Sequence, residues 1–375
     1  MLLQIDIHHH YHHYHSHHRN RHPSLRQDTM NSLQSWPEPI IRVQSLFDSG
    51  LTFVPDQYIK LLSDRPSLTD PPIATEIYIP VIDLSDLFSP DRSIRSATVR
   101  LIPRACREWE FFQVVNHGVS HELMKRNREV WREFFELPLE EKQAYVNSLA
   151  TYEGYGSRLG ANKGMKLDWS DYFYLYYLPE SLRDQNKWLS LHLSCRELVA
   201  EYGNDLVKLC GKLMKVFSVN LGLEEDYLGK AFGGEVVAAC MRVNFYPKCP
   251  QPDLTLGLSS HLDPGGMTLL HSDDHVAGLQ VRRGDDWVGV KPVPNAFIVN
   301  IGYQIQILSN EHRVTVNSAK ERVSHAFFYN PNGNILIEPA SELVTEDSPG
   351  AVSGDDIQQV QIVHQNRGSL WQATS

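Results

Sequence analysis

Long apolar runs are missing from this sequence. No stretch approaches ~18 consecutive apolar residues, so no membrane-spanning helix is expected. Cysteine is sparse and unpatterned. The five (Cys106, Cys195, Cys210, Cys240 and Cys249) are odd in number and irregularly spaced, which favours free thiols in a reducing compartment over a disulfide framework. An excess of basic charge is missing too: the formal net charge is -10, which argues against a nucleic-acid partner. The start lacks a signal peptide, because Met1–Ile7 is too short for its apolar core, and a cytosolic location is expected. What is present is ordinary. At 42% hydrophobic and 21% charged over 375 residues, the chain suits a globular protein of one large domain or two small ones.

Residues 8–22 hold nine of the 18 histidines and cannot build a core. Residues 1–35 are therefore expected to be a disordered leader, with metal binding by the tract as the competing reading. Ser93–Trp109 shows helical spacing, Glu110–Val115 turns extended, and Ser120 is placed to cap a helix running through Phe135. Leu198–Leu221 is a second long amphipathic helix, with Leu206, Leu209, Leu213 and Val216 on its stripe. After Gly233 the character changes to short alternating strands broken by turns. Gly278–Val281 and Trp287–Val290 flank a hairpin loop at Arg282–Asp286, and Phe297–Asn300 and Arg322–Tyr329 read as further strands. Helices first and antiparallel strands after predict an α+β, mainly β chain: a β-sandwich or jelly roll with helical support. The expected division is the leader at 1–35, an N-terminal region of helices and strands at 36–195, a helix plus β-core at 196–347, and a loosely ordered tail at 348–375.

The chemistry concentrates in that core. His261-Leu-Asp263 places an imidazole and a carboxylate on the same side of an extended strand, and His312 follows in Glu311-His-Arg313. Two imidazoles and one carboxylate suit a facial triad, which leaves one face of Fe(II) open. Arg322 and Ser324, two apart on one strand face, offer a guanidinium fork and a hydroxyl to a carboxylate. Open iron beside a carboxylate clamp reads as an iron- and 2-oxoglutarate-dependent oxygenase. Arg242, Asn244 and Tyr246 alternate on one strand face. Arg242 then either meets a substrate carboxylate in a pocket or sits on the outer surface with a surface partner. His271-Ser-Asp-Asp-His275 imitates a second metal set but falls where a loop collects polar residues, and His117 reads as a turn or packing histidine.

Several stretches carry a family resemblance. They include Trp109–Gly118, Arg242–Pro250, Leu258–Met267, Asn300-Ile-Gly302, Gln304–Asn310 and Glu321–Pro331. From about Trp36 to Leu343 the chain resembles the plant 2-oxoglutarate-dependent dioxygenases. Trp36–Ser45, Tyr152–Gly160 and Asp168–Tyr172 resemble the jasmonate-induced oxygenases, which hydroxylate jasmonic acid. The resemblance implies a double-stranded β-helix core. It makes His261, Asp263 and His312 the Fe(II) ligands and the catalytic centre. It assigns Arg322, with Ser324, Tyr246 and Asn244, to 2-oxoglutarate, O2 to the open position, and ascorbate as reductant. Substrate contact would fall to Arg242, with Phe327 and Tyr155 against an apolar acid.

Three departures from the family pattern stand out. Asn310 is joined directly to Glu311, where relatives carry a loop-and-strand segment, and the loss threatens the placement of His312. Tyr303 stands where relatives have aspartate, and the chain after about Pro349 lacks their C-terminal helix. Two alternatives stay open beside a jasmonic acid hydroxylase: a flavonoid-type oxygenase, or a relative impaired in catalysis. The sequence does not set the oligomeric state.

Overall fold

Alternation along Arg242-Val-Asn-Phe-Tyr246 and Arg322-Val-Ser-His-Ala326 builds the two central strands of the molecule. The computed structural model describes residues 41–66, 78–147, 153–157, 166–191, 194–302, 304–305, 311–333, 335, 337–338 and 340–343. The leader at 1–35, Tyr303, Asn310 and the tail at 348–375 lie outside the described residues. In chain order the elements are α1 (Val43–Asp48), β1 (Val81–Asp83), α2 (Arg92–Glu108), β2 (Phe111–Val115) and α3 (His121–Glu136). Next come α4 (Leu139–Lys142), β3 (Gly154–Gly156), β4 (Asp171–Leu178), α5 (Cys195–Asn220) and α6 (Tyr227–Ala231). The remaining strands are β5 (Ala238–Tyr246), β6 (Leu258–His261), β7 (Met267–His271), β8 (Leu279–Arg283), β9 (Asp286–Gly289), β10 (Phe297–Ile301), β11 (His312–Val314) and β12 (Arg322–Asn330).

Two sheets form. The larger runs β1-β2-β10-β7-β12-β5-β4-β3 and the smaller β6-β11-β8-β9. Every pairing is antiparallel except β1 with β2. The sheets face each other as a jelly roll, with side chains from both lining one cavity. The back of the large sheet is covered by helices: Met241, Val243, Phe245, Val323, Phe327 and Tyr329 join Trp131 and Phe134 of α3 and Leu206, Leu209 and Leu213 of α5 in the main core. Both faces of β5 and β12 are thus buried, which is why their burial runs almost unbroken.

Helix starts follow their caps. Ser120 Oγ accepts from the Leu123 amide at 3.4 Å, and Asp91 Oδ1 accepts from the Ser93 amide at 2.7 Å, so α2 begins one residue before the expected start. The hairpin predicted around Arg282–Asp286 is present as β8 and β9. Among the described residues no helix is long and apolar enough to cross a membrane.

Candidate active site

Asp263 sits just beyond β6, and one of its oxygens is already committed. Its Oδ2 accepts from Thr268 Oγ1 at 2.6 Å and from Asn300 Nδ2 at 2.7 Å. Thr268 on β7 and Asn300 on β10 are cross-strand partners, so sheet register delivers both donors to that oxygen. The other oxygen, Oδ1, lies 3.7 Å from His261 Nε2 and 3.6 Å from His312 Nε2. His261 and His312 are themselves registered partners on β6 and β11, with ring centroids 4.1 Å apart.

The three ligand atoms lie within 4.8 Å of one another, and no other such group of histidine, cysteine or acidic residues occurs among the described residues. His261 Nδ1 bonds the Ser259 carbonyl at 2.8 Å, which assigns the proton to Nδ1 and the lone pair to Nε2. Burial, then the neighbouring His312, pushes the His261 imidazole down to about 4 against the pull of Asp263. Two imidazole nitrogens and one free carboxylate oxygen are the donor set of an Fe(II) facial triad.

The shortened approach to His312 does not misplace it. β11 is hydrogen-bonded on both sides, with His312 registered to His261 on β6 and to Val281 on β8. Strand pairing sets the face of His312.

These ligands open onto a cavity between the two sheets. Arg242, Asn244, Tyr246, Arg322 and Ser324 all line it, together with Leu270, Ile298 and Phe328. Arg242 faces the cavity, which removes the outer-surface reading. Its guanidinium stacks 4.9 Å over the Tyr172 ring, and its Nε is buried without a hydrogen-bond partner. Arg322 is anchored at one nitrogen, with Nη2 donating to Ser272 Oγ at 2.8 Å, while Nε and Nη1 are buried and unpartnered. Its guanidinium also lies 5.1 Å from the Tyr246 ring centre. Gly257 makes room for that ring: an added Cβ would fall 2.5 Å from Tyr246 Cδ1. Buried guanidinium donors without acceptors are costly, and in this cavity they suit a ligand that carries carboxylates.

Two expected substrate contacts are elsewhere. Phe327 points away from the cavity into the main core, edge-on to Tyr177 at 5.7 Å. Its neighbour Phe328 takes the cavity side, since Arg322, Ser324, Ala326 and Phe328 share one strand face. Tyr155 is fully buried beneath Phe134, its hydroxyl donating to Asp171 Oδ2 at 3.3 Å. It braces the core behind the sheet and does not line the cavity.

His117 and His271 settle into structural positions. His117 Nε2 bonds the Asn295 carbonyl at 2.9 Å and packs 4.7 Å from Phe297. His271 Nε2 meets Arg128 Nη2 at 2.6 Å, and Asp273 and Asp274 pair with Arg132 and Arg128. Thr268 and Asn300 were given no role by sequence reasoning. Asn300 had a signal, since Asn300-Ile-Gly302 belongs to the matching motifs; Thr268 lies one residue beyond the stretch Leu258–Met267 and had none.

The comparisons agree with this geometry. Residues 79–191 match the "non-haem dioxygenase in morphine synthesis N-terminal" family, and residues 237–331 match the 2OG-Fe(II) oxygenase superfamily. Jasmonate-induced oxygenase 2 of Arabidopsis thaliana is 59% identical over 325 residues, covering 85% of this chain and 87% of that protein. Flavonol synthase 1 of Crocosmia x crocosmiiflora is 38% identical over 318 residues, covering 82% and 92%. The crystal structure of JOX2 in complex with 2OG, Fe and JA superposes with a TM-score of 0.77 at 56% identity, covering 84% of this chain and 90% of that one. The chain belongs to the 2OG-Fe(II) oxygenase superfamily, and it is an oxygenase dependent on Fe(II) and 2-oxoglutarate.

Proposed function

We propose that this enzyme hydroxylates jasmonic acid, a small apolar carboxylic acid. The observation that carries the reading is the pair of buried cations at two separate positions in one cavity beside the triad. Arg322 is registered opposite Tyr246, and Arg242 opposite Ala326, four residues further along the same strand. At about 3.3 Å per residue the two strand positions are roughly 13 Å apart, so the two guanidinium groups can address two different carboxylates. Jasmonate-induced oxygenases at 56–59% identity support an acid of this class.

In this reading His261, Asp263 and His312 would hold Fe(II). Arg322, with Ser324, Tyr246 and Asn244, would hold 2-oxoglutarate. When bound, iron, 2-oxoglutarate and O2 supply the oxidising equivalents for C–H hydroxylation, with 2-oxoglutarate leaving as succinate and CO2. The protein's own part is positional. Arg242 would seat the substrate acid, Leu270, Ile298 and Phe328 would cover its apolar body, and the closed jelly roll would exclude water. We assign the catalytic centre to residues 196–347, with the helices and strands of residues 36–195 supporting it. The cytosol is the setting we assign, supported by Cys106, Cys210, Cys240 and Cys249, which form no disulfide.

The test is turnover of the full chain with Fe(II), 2-oxoglutarate, ascorbate and O2, read by mass spectrometry. Jasmonic acid should gain one oxygen atom with one succinate formed per product. Succinate formation that responds to a flavonoid and not to the acid would overturn the substrate assignment. An anaerobic Fe(II)–2-oxoglutarate absorption band without turnover of either would identify an impaired relative.

A further inference from the structure

β6, which ends at His261, is an edge strand. Its pairing with β11 consists of two registered positions, His312 with His261 and Val314 with Leu258, with an irregularity between them. A strand held so lightly on one side is prone to slip, and a slip of one residue turns His261 away from the cavity. On its other side the strand meets side chains. Asp168 Oδ1 accepts from both the amide and the hydroxyl of Ser259, at 2.9 and 2.6 Å. Lys60 Nζ donates to the same Asp168 oxygen at 2.7 Å and to Ser259 Oγ at 2.8 Å. The carbonyl of this doubly anchored serine accepts the proton of His261 Nδ1.

We propose that Lys60 and Asp168 are positioning residues for His261, acting through Ser259. The inference rests on the reading of His261 as an iron ligand. Lys60 is only 3% exposed, and a buried ammonium is strongly destabilising unless it is paired. A simple structural staple between chain segments would not need that charge. Backbone bonds from Lys60 to Leu254 (2.9 Å), Leu167 to Gln57 (2.7 Å) and Trp169 to Leu256 (2.8 Å) already join the same three segments. What the ion pair adds is a fixed Ser259 peptide. Fixing that peptide fixes the carbonyl that sets the His261 ring plane and its proton, so Nε2 keeps its lone pair facing Asp263. Outer groups that orient a ligating histidine typically contribute about 10- to 100-fold to metal affinity.

The experiment titrates full-length protein with Fe(II) under anaerobic conditions in the presence of 2-oxoglutarate, reading the visible absorption band and, on the same samples, thermal melting. Lys60→Met and Asp168→Asn should raise the half-saturating Fe(II) concentration by about 10- to 100-fold, and Lys60→Arg by less than about threefold. Lys142→Met is the control, a buried lysine that donates to Gln44 and the Phe135 carbonyl and has no contact with β6. It should lower the melting temperature and leave Fe(II) affinity within about twofold of the original. A folded Lys60→Met protein that binds Fe(II) as tightly as Lys142→Met overturns the proposal. Should Lys60→Met not fold, Ser259→Ala decides, since it removes one hydroxyl only: a rise of about threefold or more supports the proposal, and unchanged affinity overturns it. Retention of full Fe(II) affinity by His261→Ala would instead overturn the ligand assignment beneath it.

Discussion

A carboxylate that binds a metal through one oxygen is best held by the other. Asp263 meets that requirement through Thr268 and Asn300, which take up both hydrogen-bonding directions of Oδ2 at 2.6 and 2.7 Å. Thr268→Val keeps the shape and removes the donor. Fe(II) affinity, read by anaerobic titration, should fall by about 10-fold, with the fold intact by circular dichroism. The arginine clamp makes a second, separable prediction. Arg322 is fixed at Nη2 by Ser272, so its other nitrogens are held out to the cavity without reorganisation. Losing a buried charge-assisted pair costs about 2–5 kcal/mol, so Arg322→Met should raise the KM for 2-oxoglutarate by at least about 30-fold. Fe(II) binding without cosubstrate should hardly change. A variant that loses both together would show that Arg322 supports the triad itself.

Between elements, α3 meets the β7 end through charge. Arg128 donates to His271 Nε2 and to Asp274, and Arg132 to Asp273, which pins the loop carrying Ser272. The bond from Arg128 requires a neutral His271. Burial, then the Arg128 charge, lowers this imidazole to about 3, below the 6.5 it would have when exposed. The unfolded chain therefore binds a proton that the folded chain refuses. Stability from this site is complete above pH 6.5 and is lost as pH falls from there towards 3. His271→Gln keeps an acceptor and cannot titrate, so its melting temperature should fall less between pH 7 and pH 5 than that of the original. Glu153 acts in the opposite sense: burial lifts its carboxyl from 4.5 to about 7, so its contribution is present at low pH and fades as pH rises through that interval. Glu153→Gln should raise the melting temperature relative to the original more at pH 7.5 than at pH 5.

Elements were legible in the sequence where a local signal existed. Caps at Ser120, the hairpin after Gly278 and the alternation of Arg242, Asn244 and Tyr246 all depend on neighbours in the chain. The choice between Phe327 and Phe328 was legible only in strand parity, since Phe328 shares the face of Arg322 and Ser324; hydrophobic patterning hides it, because β12 is buried on both faces. Lys60 and Asp168 were invisible for another reason. Their contacts with Ser259 span 199 and 91 residues of sequence, and only the folded topology closes those distances.

At the scale of the whole molecule, the cavity is where two sheets and two chemistries meet. The small sheet brings His261 and His312, while the large sheet brings both arginines, so metal and acid recognition stand on opposite walls. That separation predicts that the two can be uncoupled. Arg242 is 8% exposed, is held by the face of Tyr172, and touches neither Arg322 nor its Ser272 anchor by any hydrogen bond among the described residues. Removing it with Arg242→Leu should leave Fe(II) and 2-oxoglutarate binding near the original values and raise the KM for jasmonic acid by about 30-fold or more. Without a seated acid, 2-oxoglutarate should still be consumed slowly, so the ratio of succinate to hydroxylated product should rise well above one. A methyl ester of the same acid discriminates further. It lacks the charge that Arg242 pairs with, so it should be a poor substrate for the original enzyme and lose little more in the leucine variant. If ester and acid are equally good substrates of the original enzyme, Arg242 does not read the carboxylate, and the apolar wall of Leu270, Ile298 and Phe328 sets the choice alone.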